Sequence, residues 1–174
     1  MKAISYFILF LGLVVASGCA TQRAMPVTSS GEKIHIDILS DRGNPSTMES
    51  RQWQYRNEVG SFMEPNMVRR LRDFGFSSAL IQKNSDFQRR PGSYLLKMTI
   101  TSYNPGSTAA RILVGFGAGA CSLDCHYELV DSNGKTVKSW DDGVGTSQNW
   151  QRLPITLNKR NAAKVQDYCM GSKP

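Results

Sequence analysis

The sequence has few of the residues from which catalytic and metal sites are built. It contains two histidines in 174 residues, no Gly-x-Ser-x-Gly and no His-Glu-x-x-His. A catalytic nucleophile needs a neighbouring base, and a zinc ion needs three or four correctly spaced ligands. We therefore predict that the protein is not an enzyme and that it has no catalytic residues, no metal site and no cofactor.

Charges of one sign are not clustered either. The chain has 21 Lys and Arg against 14 Asp and Glu, a formal net charge of +7, but no run of five like charges. A positive surface could favour anionic lipid, peptidoglycan or an acidic partner. Charges spread in this way are more typical of a well-solvated surface.

The longest apolar stretch, ISYFILFLGLVVA, stands at 4–16. It follows Lys2, is short for a membrane span and is closely followed by small residues, which is typical of a secretory signal. The residues Val15 to Cys19 resemble the lipobox of bacterial lipoproteins, in which a small residue precedes an obligatory cysteine. The resemblance implies cleavage before Cys19 and acylation of its thiol and new amino group. The alternative is an ordinary signal peptide cut nearby, which leaves Cys19 as a plain thiol.

The signal divides the chain into three parts. Residues 1–18 are the predicted lipoprotein signal peptide, 19–33 a polar tether that we predict to be flexible, and 34–174 a single domain. By resemblance to enterobacterial sorting rules, Ala20 favours the outer membrane, with the domain facing the periplasm. The predicted partners are the membrane, through the lipid, and an unknown envelope protein. Nucleic acid is not expected outside the cytoplasm.

The periodicity of the sequence predicts an α+β fold. We expect a single mixed or mainly antiparallel sheet of about five strands with helices on one face, in the order β-α-β-β-β-β-α. Residues 34–39, IHIDIL, alternate between apolar and polar side chains as a half-buried strand does, and 94–103 alternate in the same way. Further strands are predicted at 78–82, 120–130 and 135–141.

Two helices and one hairpin complete the predicted fold. Apolar residues recur every three or four positions from Phe62 to Phe74, which predicts a helix that Gly75 ends. Because a proline is tolerated only in the first turn, Pro65 sets the predicted start near 61–64. Asn133-Gly134 predicts a hairpin turn in which both residues accept positive φ. A second helix is predicted at 158–170.

The stretch GFGAGACSLDCH, 115–126, combines glycines, cysteines and a histidine. A phosphate-binding glycine loop precedes a helix, whereas this one precedes a predicted strand. Covalent haem attachment uses two residues between its cysteines, whereas three separate Cys121 and Cys125. A strand places these two thiols on one face about 13 Å apart, too far for one metal or one disulfide. We therefore interpret the glycines as a bend into a strand.

The cysteines other than Cys19 are odd in number. Cys121, Cys125 and Cys169 remain for an oxidising compartment once Cys19 is acylated. We expect one disulfide and one free thiol among them, in a pairing that the sequence does not fix.

The run from Tyr103 to Lys135 resembles the signature of a family of bacterial lipoproteins with a domain of unknown function. The resemblance rests on Pro-Gly-Ser at 105–107, Arg111, Gly-Phe-Gly-x-Gly at 115–119 and Asp131-x-x-Gly-Lys. It implies no catalytic residues. Arg111 lies between two apolar or small stretches, and we predict that it pairs with Asp131 or a terminal carbonyl as a structural latch. The alternative is that it binds an anionic ligand.

Two functions follow from these observations. The favoured one is a lipid-anchored, non-catalytic interaction or assembly module at the periplasmic face of the outer membrane. The alternative is a subunit of a homo-oligomeric envelope channel or secretion complex, which resembles lipoproteins of the curli-secretion type at the level of the fold. The segment 112–120, ILVGFGAGA, has nearly the length of one membrane β-strand. No second such segment follows, so we favour the module and interpret 112–120 as buried core.

Overall fold

Five strands and two helices form the domain in a computed structural model that describes residues 25–29, 31–106 and 119–171. The elements are β1 (His35–Asp41), α1 (Ser50–Asp73), β2 (Ser77–Ile81), β3 (Ser93–Asn104), β4 (Cys121–Val130), β5 (Thr136–Thr146) and α2 (Arg152–Cys169), with a short 3-10 helix at Asn84–Asp86. This order confirms the predicted α+β fold. None of the helices in these ranges combines the length and the apolar character needed to cross a membrane.

The strands form one mixed sheet in the order β2-β1-β3-β4-β5. β1 runs parallel to both of its neighbours, so that His35 stands beside Ser77 on one side and Ser93 on the other. β3, β4 and β5 are antiparallel to one another, with Tyr127 opposite Trp140. The sheet is therefore parallel in one half and antiparallel in the other.

Both helices pack on the same face of the sheet and form the main core with it. Because strand side chains alternate, every second residue of the central strands faces the helices. These residues are Ile36 and Ile38 of β1, Leu96, Met98 and Ile100 of β3, and Cys121, Leu123, Cys125, Tyr127 and Leu129 of β4. The helices contribute Val59, Met63, Met67, Leu71, Leu153, Leu157, Ala162 and Val165.

Helix α1 is longer than the sequence predicts. It begins at Ser50, so Pro65 lies in its interior, and the predicted start near 61–64 is wrong. Pro65 is exposed, which places the proline ring on the outer side of the helix. The helix persists because its inner side packs on the sheet on both sides of the proline, with Met63 before it and Met67 after it fully buried.

The second helix and the last strand are also longer than predicted. α2 begins at Arg152, with Pro154 in the first turn, where a missing N–H costs little. β5 continues to Thr146, because its pairing with β4 runs from Thr136 to the residue opposite Cys121. The last residues of this strand, Gly143 to Thr146, do not alternate between apolar and polar side chains, so the sequence pattern does not predict a strand there.

Glycines end α1 and close the hairpin, as predicted, but the hairpin differs in detail. Gly75 has φ of 92° and Gly134 has φ of 83°, whereas Asn133 does not have positive φ, contrary to the prediction. The reason is Asp131, whose Oδ1 accepts hydrogen bonds from the N–H groups of Asn133 and Lys135, both at 2.9 Å. The loop therefore closes over three residues, with glycine alone in the left-handed position.

Two polar contacts connect elements inside the domain. Asn158 of α2 is fully buried, and its Nδ2 donates to the carbonyl of Met63 at 2.8 Å and to Oδ1 of Asn66 at 3.1 Å, both on α1. Arg42, just after β1, donates to both oxygens of Glu64 on α1, at 2.8 and 2.6 Å. These contacts fix the helices relative to each other and to the sheet.

Part of the predicted tether packs on the domain. Val27 and Lys33 form an antiparallel bridge, and the N–H of Ile34 donates to the carbonyl of Pro26 at 3.0 Å. Pro26 is buried and lies against Gly75. The described residues 25–29 and 31–33 are therefore a short extension of the fold.

Candidate functional site

The sheet face that the helices leave uncovered, here called the open face, carries most polar strand residues. Its side chains are the alternate residues of the strands, including His35 and Asp37 on β1, Lys97 and Thr99 on β3, Asp124, His126 and Glu128 on β4, and Ser139 and Asp141 on β5. The sequence predicts this orientation for His35, Asp37 and His126, and the structure agrees. Because the other face is core, the open face is the candidate functional site.

One part of the open face is a cleft. The loop 82–92 between β2 and β3 folds over the parallel strands, and its Phe87 packs with Leu95 and Val130 in a small second core. Next to this core lies a cavity of about 780 Å³, lined among others by Glu32, Lys33, His35, Asp37, Asp86 and Arg90. Its size is within the range of small-molecule sites in proteins.

A hydrogen-bonded line crosses the floor of this cleft. Nδ1 of His35 is 3.0 Å from Oγ of Ser77 on β2, and Nε2 is 3.0 Å from Oδ1 of Asp37 on β1. Asp37 is 4% exposed, whereas 38% of the His35 side chain is accessible. The parallel pairing of β1 and β2 sets Ser77 beside His35, so the line follows from the sheet register.

The second histidine has the same kind of partners on the antiparallel half. Nδ1 of His126 is 2.7 Å from Oδ1 of Asp141, and its Nε2 is 3.1 Å from Oγ of Ser139. Next to it, Nζ of Lys97 is 3.4 Å from Oε2 of Glu128. The charged groups in the middle of the open face are therefore already paired across neighbouring strands.

Both histidine lines contain the residue types of a Ser-His-Asp triad, but their geometry differs from it. In that triad the buried carboxylate contacts Nδ1 and the serine contacts Nε2. Around His35 this order is reversed, because Nδ1 contacts the serine and Nε2 contacts the carboxylate. Around His126 the nitrogens are in the usual order, but 85% of the Asp141 side chain is exposed, so water competes for the contact. We interpret both lines as networks that hold the side chains of the open face in place.

The cleft can hold a polar ligand through groups of both signs. Lys33 and Arg90 provide cations, and Glu32, Asp37 and Asp86 provide carboxylates around the same cavity. Over residues 25–29, 31–106 and 119–171, no three His, Cys, Asp or Glu side chains come close enough together to hold a metal ion.

The cysteines predicted to form a disulfide lie on the helix face of the sheet and on α2. Cys121 and Cys125 are buried on β4, and Sγ of Cys121 is 3.8 Å from the carbonyl of Gln148. Cys125 and Cys169 are free thiols in the structure. Burial raises the pKa of each of these two thiols to about 12, which keeps them protonated and unreactive at neutral pH. The disulfide stays a prediction.

Several other predicted residues lie outside the described ranges. These are Cys19, Arg111 and the segment 112–118, so the lipidation and the latch between Arg111 and Asp131 stay predictions. Asp131 itself is described, and its Oδ1 binds the N–H groups of the hairpin loop. The predicted bend before β4 is described from Gly119, whose φ is 71°.

Neither histidine line is predicted from the sequence. One of them could have been found: pairing outward from Asn133-Gly134 as a two-residue turn places His126 opposite Asp141, as the structure does. The other could not, because Ser77 and His35 are 42 residues apart and meet only through a parallel pairing. Alternation alone identifies His35 and Asp37 as neighbours on one face.

These features define the class of the protein: a small α+β domain in which two helices cover one face of a mixed five-stranded sheet and leave a polar face open. Residues 28–143 match the model of a family described as a domain of unknown function, DUF4410. The match covers about two thirds of the chain, and the chain belongs to this family. The predicted membership of a family of unknown function is thereby confirmed. No curated protein matches the chain in sequence.

Solved structures resemble the fold at low sequence identity. A PelC dodecamer from Paraburkholderia phytofirmans has 15% identity and a TM-score of 0.50, with 84% of this chain and 94% of that chain covered. Another crystal form of a PelC dodecamer from the same organism has 15% identity and a TM-score of 0.40, with coverages of 83% and 91%. A homolog of neuraminyllactose-binding hemagglutinin from Helicobacter pylori has 9% identity and a TM-score of 0.36, with coverages of 76% and 81%. The first likeness indicates a shared fold.

Proposed function

We propose that this protein is a lipid-anchored, non-catalytic assembly module of the bacterial envelope, which works as an oligomer of identical subunits at the periplasmic face of the outer membrane. The observation that carries the proposal is the edge strand β5. Anchoring rests on the predicted acylation of Cys19. The absence of catalysis rests on the geometry of the two histidine lines, which hold side chains in place on the open face.

Strand β5 offers a surface for pairing between copies. It has 11 residues and is the last strand in the sheet order, so its outer backbone groups have no strand neighbour among the described residues. Unpaired N–H and C=O groups of an edge strand are a template for another chain. An edge of this length is long compared with the short edge strands by which monomeric proteins avoid such pairing.

The two halves of β5 differ in their suitability for pairing. The first half carries Lys138, Asp141 and Asp142, and charges on an edge disfavour contact with a second strand. The second half, Gly143 to Thr146, carries no charge and has two glycines, which allow close backbone approach. Because the carbonyl of Gly143 already accepts a hydrogen bond from Arg160 at 2.8 Å, we assign the contact between copies to residues 144–146.

The PelC dodecamer supports the proposed self-assembly, whereas the choice of residues rests on β5 alone. That protein is a dodecamer, and 84% of this chain matches its fold. A shared fold does not fix function, but a dodecamer of similar fold is consistent with self-assembly of this protein.

The test is the native mass of the lipidated protein in mild detergent, together with chemical cross-linking before lysis. We expect a self-ladder that ends in one large species. Gly145→Lys adds a charge to the edge at a glycine whose Cβ position is 3.6 Å from the nearest other atom, the carbonyl of Cys121, so the fold should tolerate it. We expect this variant to be monomeric. Thr156→Lys adds the same charge on the exposed surface of α2 and should keep the ladder.

Two results would contradict the proposal. In the first, the wild-type protein has the mass of a monomer and a single cross-link to a different protein. The module would then bind that partner and would not assemble with itself. Unchanged labelling with a palmitate analogue in Cys19→Ala would remove the lipid anchor from the proposal.

A further inference from the structure

Large apolar side chains are exposed at few places in the described part of the chain. They are Met25 and Val27, at 66% and 50% exposure, and Tyr168 and Met170, at 37% and 39%. The four residues come from opposite ends of the sequence. A cluster of such residues on an otherwise polar surface is a sign of an interaction site.

Met25 and Val27 lie where strands β1 and β2 begin. Val27 pairs with Lys33 two residues before β1, and Met25 lies against Gly75 two residues before β2. This position is called the tether end of the domain.

Tyr168 and Met170 lie at the same end. The ring of Tyr168 contacts the ring of Tyr94 edge to face, with the ring centres 6.4 Å apart. Tyr94 is the second residue of β3, next to Ile36 of β1. Because β1, β2 and β3 are parallel, their first residues share one end of the sheet, and α2 ends there too.

Cations lie beside these apolar groups, and so do the exposed carboxylates of Glu32, Asp73 and Asp167. Nζ of Lys138 is 6.0 Å from the centre of the Tyr168 ring, and the guanidinium of Arg89 lies beside Gly134 in the hairpin loop. Lys33 and Lys135 are exposed at the same end. Exposed methionine, valine and tyrosine side chains with lysine and arginine nearby are found on surfaces that lie on anionic membranes.

The length of chain before Met25 fits this partner. Six residue steps separate Cys19 from Met25, and an extended chain spans at most about 3.6 Å per residue, so Met25 lies within about 22 Å of a lipid on Cys19. A lipid anchor therefore brings the tether end to the membrane before any other part of the domain.

We propose that the tether end of the domain lies on the membrane surface, with Met25, Val27, Tyr168 and Met170 among the lipid headgroups and the lysine and arginine side chains of this end against anionic lipid. This inference rests on the lipid anchor of the proposed function. The domain then has a fixed orientation, with the far end, the loop 42–49, pointing away from the membrane.

The test uses the lipidated protein in vesicles of phosphatidylethanolamine and phosphatidylglycerol with brominated acyl chains. A fluorescent dye is attached to a cysteine introduced by Met170→Cys at the tether end, or by Ser46→Cys at the far end as the matched control. The raised pKa values of Cys125 and Cys169 favour labelling of the introduced thiol at neutral pH. Position 170 is chosen because it is not part of the tether, so its depth reports on the domain itself.

We expect bromine to reduce the fluorescence at position 170 by at least about twofold and to leave position 46 unchanged. Phosphatidylcholine vesicles, which lack anionic lipid, should weaken the quenching at position 170.

Equal quenching at both positions, or none at either in protein that floats with the vesicles, would overturn the proposal. If neither position is quenched and position 170 cross-links between copies, the tether end is a contact between copies and the membrane proposal is wrong. Flotation measured in the same samples reports the lipid anchor separately, so loss of flotation would refute the anchor.

Discussion

Replacing Arg42 with methionine tests how much a buried ion pair contributes to this fold. The guanidinium contacts both oxygens of Glu64, and the two side chains are 22% and 9% exposed. Removing one partner of such a pair leaves a carboxylate without compensation inside the protein, which costs about 3–5 kcal/mol. Because Arg42 remains partly accessible, we expect the lower value, about 3 kcal/mol. For a chain of this size, that is a decrease of roughly 6–12 °C in Tm.

The assay is urea unfolding of the mature protein followed by circular dichroism. The double variant Arg42→Met, Glu64→Leu is the control, because replacing both charges by apolar groups removes the unpaired carboxylate and should recover most of the lost stability. If Arg42→Met lowers the free energy of unfolding by less than about 1 kcal/mol, the pair behaves as an exposed ion pair, and its burial does not explain its contribution to stability.

Three further outcomes can be measured by the same unfolding experiments. Gly75→Ala should cost about 1–2 kcal/mol, because φ is 92° and the new Cβ would lie 2.9 Å from Pro26, whereas Gly145→Ala should cost less. Asn158→Ala should cost about 2 kcal/mol, because it removes two buried hydrogen bonds between the helices. The free energy of unfolding of the reduced protein should fall as pH rises from about 9 towards about 12, since unfolded chains ionise Cys125 and Cys169 while burial keeps them protonated in the fold. A stability that is flat over this range would contradict the raised pKa values.

The strands that alternate could be predicted from the sequence, and so could the core side of each. Ile36 and Ile38 are fully buried, and Leu96, Met98 and Ile100 are nearly so, because a strand places every second residue on the same face. The same alternation of side chains along β4 predicts that His126 points away from the core. These are local properties of the chain, which need no knowledge of what the strand pairs with.

Features that depend on distant pairing could not be predicted. The line from Ser77 through His35 to Asp37 exists only because β1 and β2 are parallel neighbours, and alternation does not specify a neighbour. The early start of α1 was missed for a related reason: residues 50–58 have little apolar periodicity and become helical as part of an element that packs on the sheet.

The hairpin shows how one side chain changes a local outcome. Asn133-Gly134 predicts a two-residue turn, but the carboxylate of Asp131 accepts two backbone N–H groups and draws the loop into a three-residue form. The strand register shifts by one residue at Val130 as a result and is regular again from Leu129 onwards. The dipeptide Asn133-Gly134 therefore predicts the hairpin correctly, but it does not predict the conformation of the loop.

The first and last described residues of the domain, Met25 and Gly171, both lie at the tether end. A protein fused after Gly171 would therefore stand beside the proposed lipid anchor and compete with the domain for the proposed membrane surface. The exposed turn at 44–47 is at the opposite end and is a better place for an epitope or a reporter. Joining Met25 to Gly171 and opening the chain in this turn would place the new chain start at the far end, and a lipid attached there would turn the loop 42–49 towards the membrane.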